Sequence, residues 1–290
     1  MSVLRKLKYS LLVAVMGAPL TANAFYNMSY VEVNSNALSN VGCYLLEKTG
    51  QPFFDMTSIF AANINGSDPN QPEIYFNPQV KHVLDNTSEV QELHGKGIKV
   101  LLTILGNHQN AGWSCMTDPA AAKKFADQLA DVVQKYDLDG IDIDDEYSSC
   151  AGNDTSMIMI AQALKENPKF KGKILSKALF RDGLNFNGHY QGHSLADYLD
   201  QGWEMSYGTG GPDGRLPKYL GYGMSKADLA LGVSTNNSAQ SAAQWIGDTM
   251  QEGYGGAMVY NVTNNSQSFL SSIAEAEYQQ SVAVSPNCLK

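Results

Sequence analysis

The chain has 290 residues, 29 acidic against 20 basic side chains, and a formal net charge of −9. That balance has the wrong sign for a nucleic-acid surface, where contacts to phosphate supply most of the affinity. With 43% hydrophobic residues the chain is globular in composition and long enough for one large domain with its own core.

The amino terminus reads as a targeting segment. Arg5, Lys6 and Lys8 precede an apolar run from Leu11 to Leu20, which is followed by Ala22-Asn23-Ala24. A charged start, an apolar middle and an A-x-A end make residues 1–24 a secretory signal peptide, cut after Ala24. The run is too short to span a membrane, and no later stretch is long or apolar enough. A secreted or periplasmic protein starting at Phe25 is expected, acting as a monomer with no membrane and no nucleic-acid partner. Export makes disulfides the natural use of Cys43, Cys115, Cys150 and Cys288, whose spacings match no zinc pattern. Cys115 and Cys150 both fall just after predicted strands, which places one bridge there. Cys43–Cys288 is the other pairing.

Eight strand candidates follow in order: Met28–Asn34, Thr57–Asn63, Ile98–Leu105, Leu138–Asp144, Lys173–Phe180, Trp203–Tyr207, Leu229–Ser234 and Ala257–Asn261. Each is β-branched or apolar enough to be buried on at least one side. Val80, Val83, Leu84 and Val90 form a helical stripe before the third strand. Asp118-Pro119 supplies a cap and a first-turn proline for a helix striped by Phe125, Leu129, Val132, Val133 and Tyr136. Ala242, Trp245, Ile246 and Met250 mark a helix before the last strand. Strand and helix alternating through one domain predict a (β/α)8 barrel over residues 25–282, with 283–290 as a tail. Around strands 5 and 6 the pattern weakens. A short helix near Ser194–Leu199 is all the first gap offers, and Gly, Asn, Tyr and Pro fill the second.

The fourth strand carries the chemistry. Read as a strand, Leu138-Asp-Gly-Ile-Asp-Ile-Asp-Asp-Glu146 puts Ile141 and Ile143 on one face and Asp142, Asp144 and Glu146 on the other. Same-face residues lie roughly 7 Å apart along a strand, so the carboxyl groups sense one another. Like charges that close cannot all ionise, so at least one pKa must rise, which gives a carboxylic acid able to donate a proton near neutral pH. Active sites of such barrels lie at the carboxyl ends of the strands, where Glu146 would face a substrate with Asp144 and Asp142 deeper. Asn107, Tyr207, Tyr260 and Asn261 end other strands, and Asn63 ends the second. Tyrosines and amides at that mouth suit a sugar, although either tyrosine would serve equally as rim packing. The usual retaining glycosidase needs a second carboxylate about 5–5.5 Å from the acid, across the scissile bond. Asp144 lies beneath Glu146 instead, which argues for a nucleophile supplied by the substrate.

Asp139-x-x-Asp142-x-Asp144-x-Glu146 resembles the DxxDxDxE signature of glycoside hydrolase family 18. The resemblance narrows to the endo-β-N-acetylglucosaminidase H-like group through YVEVN at Tyr30–Asn34, NVG at Asn40–Gly42, FAANIN at Phe60–Asn65 and GIKVLL at Gly97–Leu102. LGNHQ at Leu105–Gln109, LDGIDIDDEY at Leu138–Tyr147 and EGYG at Glu252–Gly255 continue it. It implies a secreted hydrolase of N-linked glycans or glycoproteins that cuts between the two core N-acetylglucosamines by a retaining, substrate-assisted route. On that resemblance Glu146 is the acid, Asp144 holds the 2-acetamido group, Asp142 hydrogen-bonds Asp144, and Tyr207 binds the acetamido carbonyl. Gly208 stands where many chitinases have aspartate, and Tyr260 where they have tryptophan. Both depart from the chitinase reading, which stays as the alternative beside a non-catalytic glycan-binding relative.

Neither a cofactor nor a metal is expected. The acidic run from Asp137 to Glu146 lacks the EF-hand order, and His189-x-x-x-His193 lies in a stretch without a helical stripe. A serine elbow and a phosphate loop are absent from the sequence.

Overall fold

The computed structural model describes residues 25–208 and 210–290. The leader expected over residues 1–24 lies outside them. Eight parallel strands close on themselves: β1 (Tyr26–Glu32), β2 (Met56–Asn65), β3 (Lys99–Gly106), β4 (Gly140–Ile143), β5 (Ile174–Leu179), β6 (Gln201–Glu204), β7 (Leu229–Ser234) and β8 (Gly256–Tyr260). Each pairs with the next, and β8 returns to β1 with Met28 opposite Met258. The expected (β/α)8 barrel is therefore present, with all eight strands where the sequence placed them to within a few residues.

Alternation along the strands sorts the core into two layers. Met28, Tyr30, Met56, Leu101, Ala178, Trp203, Ala230 and Met258 fill the barrel. Val31, Ile59, Leu102, Ile104, Ile141, Ile143, Leu175 and Leu231 point outward under the helices. After β2 come α1 (Pro78–Asn86) and α2 (Glu89–His94); the Val80–Val90 stripe is two helices, because Thr87 is extended and ends the first. After β3 comes α3 (Pro119–Lys135), capped as expected by Asp118, whose carboxylate accepts from Ala120 N at 2.9 Å. Phe125, Leu129 and Val133 of its stripe are fully buried.

The next four units are α4 (Ser156–Glu166), α5 (Gly183–Asn187), α6 (Pro217–Gly221) and α7 (Ala239–Gln251), followed by α8 (Gln267–Tyr278). The two five-residue helices, α5 and α6, are the irregular units anticipated around strands 5 and 6. Leu195–Asp197 forms a 3-10 turn rather than a helix over Ser194–Leu199. His189 and His193 flank a turn bridged between Tyr190 and His193, not a helical face. The carboxyl-terminal residues are stitched down: Val282–Val284 pairs antiparallel with Tyr44–Leu46, and Cys288 is bonded to Cys43. Among the described residues no helix is long and apolar enough to cross a membrane.

Candidate active site

β4 is shorter than its sequence suggests. It ends at Ile143, so Asp144, Asp145 and Glu146 leave the strand, although Asp144 N still donates to Ile104 O at 3.2 Å. Ile141 and Ile143 face the helices and Asp142 faces the barrel, as the alternation requires. Asp142 is fully buried, and four donors meet its carboxylate. Tyr30 Oη (2.7 Å) and Thr103 Oγ1 (2.9 Å) donate to Oδ2, while Ser176 Oγ (2.6 Å) and Trp203 Nε1 (2.8 Å) donate to Oδ1. A carboxylate has about four lone-pair positions, and all are taken. Burial lifts the Asp142 pKa and these four bonds oppose it. Among the described residues no hydrogen bond joins Asp142 to Asp144, and the charge of Asp142 contributes to the rise in the Asp144 pKa.

Asp144 is 2% exposed, and its Oδ1 has no hydrogen-bond partner among the described residues. Its pKa stands well above the usual carboxylate range, first from burial and then from the charges of Glu146 and Asp142. Like-charge repulsion was the cause anticipated from spacing; desolvation exceeds it here. Glu146 is half-buried, and burial raises its pKa, with Lys177 opposing and Asp145 adding to the rise. The arrangement sets one acid of raised pKa at the mouth above a second, buried one, a pair able to carry out acid catalysis.

Main-chain pairing fixes the height of Glu146. Gly106 N donates to Glu146 O at 2.9 Å, His108 N to Tyr147 O at 2.6 Å, and Ser149 N to Gln109 O at 2.8 Å. The loop after β4 therefore runs as a short ladder against the loop after β3. A Cβ at Gly106 would sit 2.5 Å from Glu146 O, so the approach needs a glycine. The Cys115–Cys150 disulfide joins the same two loops, with Cα atoms 5.8 Å apart. Both expected disulfides are present. Behind the ladder Asp145 accepts from Ser114 Oγ and from Asn185 Nδ2.

The other expected residues surround the mouth. Tyr207 follows β6 and its ring lies 5.4 Å from that of Tyr260, tilted by 31°. Tyr260 Oη donates to Glu32, and Asn261 Oδ1 accepts from Glu32 N at 3.0 Å. Asn63 Nδ2 donates to Gly106 O at 3.1 Å, and Asn107 Nδ2 to Asn65 Oδ1 at 2.7 Å. Asp139, first aspartate of the motif, lies at the foot of the strand, where its Oδ2 meets Val100 N and His94 Nε2 at 2.8 Å each. Sequence reasoning missed Glu32, Tyr30, Trp203 and Lys177. Lys177 is 1% exposed, forms a 2.6 Å ion pair with Asp182, and lines the same cavity of about 390 Å³ as Glu146. A lysine inside a predicted buried strand was its available signal. Among the described residues no group of three or more His, Cys, Asp or Glu side chains is placed to hold a metal ion.

Comparison with known proteins agrees with this geometry. Residues 23–248 match the family described as Glycosyl hydrolases family 18. An endo-beta-N-acetylglucosaminidase of Flavobacterium sp. (strain SK1022) is 37% identical over 265 residues, covering 88% of this chain and 81% of the relative. Endo-beta-N-acetylglucosaminidase F1 of Elizabethkingia meningoseptica is 31% identical over 254 residues, covering 84% and 73%. The crystal structure of Bacteroides thetaiotamicron EndoBT-3987 with Man5GlcNAc product superposes with a TM-score of 0.74 at 24% identity, over 90% of this chain. This chain spans 62% of that protein's length, and the likeness is one of fold. With the motif on the fourth strand of a closed barrel and the match running through most of the sequence, the chain belongs to family 18 of the glycosyl hydrolases.

Proposed function

We propose that this protein is an exported endo-β-N-acetylglucosaminidase. It hydrolyses the β-1,4 bond between the two core N-acetylglucosamines of N-linked glycans, with retention and with the substrate's own acetamido group as nucleophile. The observation that carries the reading is the vertical set of carboxyl groups: Glu146 at the mouth, and Asp144 buried beneath it with an oxygen unpartnered among the described residues. That oxygen is an acceptor in need of a donor, which the N–H of a 2-acetamido group supplies.

Glu146, protonated, gives its proton to the leaving oxygen. Asp144 orients the acetamido group, whose carbonyl oxygen attacks the anomeric carbon and forms an oxazolinium. Tyr207 donates to that carbonyl, and the fixed charge of Asp142 favours the proton on Asp144. Glu146, now ionised, takes a proton from water, which opens the ring; two inversions leave a β product. Tyr260, Asn261, Asn107 and Asn63 extend the sugar-binding wall. The two disulfides suit an oxidising compartment, which supports export; cleavage after Ala24 and action as a monomer belong to the same proposal.

Incubation with ribonuclease B and with chitin oligomers, followed by mass analysis, tests this. The glycoprotein should lose its glycan yet keep one N-acetylglucosamine on asparagine. Cleaved chitin beside intact glycoprotein would overturn the substrate assignment.

A further inference from the structure

We propose that Arg215 is a positioning residue for the reaction: through Glu204 it holds the Met205–Ser206–Tyr207 segment, and with it the Tyr207 phenol, in place. This rests on the role given to Tyr207 above.

β6 stops at Glu204, and Tyr207 lies beyond the strand with φ +46°, a left-handed conformation that a bulky residue adopts only when its surroundings impose it. Strand pairing does not reach that far, since the last neighbouring bond runs from Met205 N to Leu179 O at 3.2 Å. Restraint comes instead from a buried carboxylate. Glu204 is 2% exposed, and both its oxygens accept from Ser206 N at 3.2 Å.

Glu204 is in turn gripped by Arg215, itself 3% exposed, through Nε and Nη2. The same guanidinium reaches three carbonyls. Nη2 donates to Glu204 O at 3.1 Å and Gly232 O at 2.7 Å, and Nη1 donates to Gly210 O at 3.1 Å. One planar cation thus ties the end of β6, the far side of the Tyr207 turn, and β7. β7 comes this close because residue 232 lacks a side chain; a Cβ there would lie 2.2 Å from Glu204 O. A lysine carries the charge but not the fork, and cannot satisfy these acceptors together.

A double-mutant cycle tests the inference, using ribonuclease B as substrate and Arg215→Met, Arg215→Lys and Tyr207→Phe as variants. Folding is checked for each by circular dichroism. Arg215→Met should lower kcat on the order of 10²-fold with little change in KM, the scale expected for an ångström of misplacement. Arg215→Lys should fall between Arg215→Met and the parent, and it carries the cycle should Arg215→Met fail to fold. In the Tyr207→Phe background the same Arg215 substitution should cost no more than ~2-fold, because its effect passes through the phenol already removed. Losses that simply multiply would overturn the inference, as would full turnover in a folded Arg215 variant. Full turnover by Tyr207→Phe would remove the proposed role of Tyr207 itself, and the inference with it. A crippled Tyr207→Phe beside active Arg215 variants removes the inference alone.

Discussion

Glu277 ties the stability of the fold to pH at the end of the barrel remote from the carboxyl stack. It lies on α8, 8% exposed; its Oε2 accepts from Asn27 Nδ2 at 2.8 Å, while its Oε1 and Asn27 Oδ1 are unpartnered among the described residues. Burial raises its pKa from 4.5 to about 8, against the Asn27 hydrogen bond and with help from the Asp55 charge. The folded protein keeps this proton where the unfolded chain has lost it. The stabilisation is complete below the unfolded value and disappears as pH rises through the folded one. The gap from 4.5 to about 8 corresponds to roughly 5 kcal/mol. Glu277→Gln keeps an acceptor for Asn27, supplies a donor, and cannot ionise. Between about pH 4 and 9 the parent should lose roughly 5 kcal/mol relative to the variant, about 10 °C in Tm for a domain of this size. Thermal melts of both proteins across that range, followed by circular dichroism, measure it. Identical pH dependence in the two would refute the reasoning.

Glu146→Gln should fold normally and lose at least ~10² in rate. In the parent the basic limb of kcat/KM should lie above the ordinary carboxylic-acid range, since the acid must stay protonated and burial raises its pKa. Asp144→Asn should hydrolyse poorly yet still transfer from a preformed oxazoline donor, because the donor bypasses the step that Asp144 orients. Early-time NMR of the sugar released by the parent should show the β anomer first; an α anomer would mean single displacement by water. Replacing Cys115 and Cys150 by serine should cost up to about 4 kcal/mol, from the 35-residue separation that the bridge closes. A melting temperature equal to the parent's would show that the ladder holds the loops unaided.

The barrel was legible because its strands are self-declaring: Ile141 and Ile143 alternate with Asp142, and Asp118-Pro119 announces α3. Asp144 and Glu146 were legible because carboxyl groups at that spacing do not belong in a core. Geometry supplied by other strands was not. Tyr30 and Trp203 come from β1 and β6 to saturate Asp142, a convergence of residues 112 and 61 positions away that local pattern does not encode. Around β6, pattern misplaced the strand end: Met205 and Tyr207 look like strand residues by composition, but Glu204 and Arg215 pull that segment into a turn. Lys177 and Arg215 escaped notice because a lone cation reads as surface until its buried partner is known.

The ladder between the loops after β3 and β4 divides the rim of the barrel into two kinds of territory. An insertion between Gly106 and Gln109, or between Glu146 and Ser149, would break paired backbone and carry the acid with it, so length there is under constraint. The loops after β5 and β6 carry only short helices and 3-10 turns, yet each is pinned to the site at one place: Asn185 of α5 donates to Asp145, and Arg215 grips Glu204 at the end of β6. Length is therefore free to change only in stretches that these residues do not pin, such as the Tyr190–His193 turn, where a longer loop leaves the paired backbone opposite untouched.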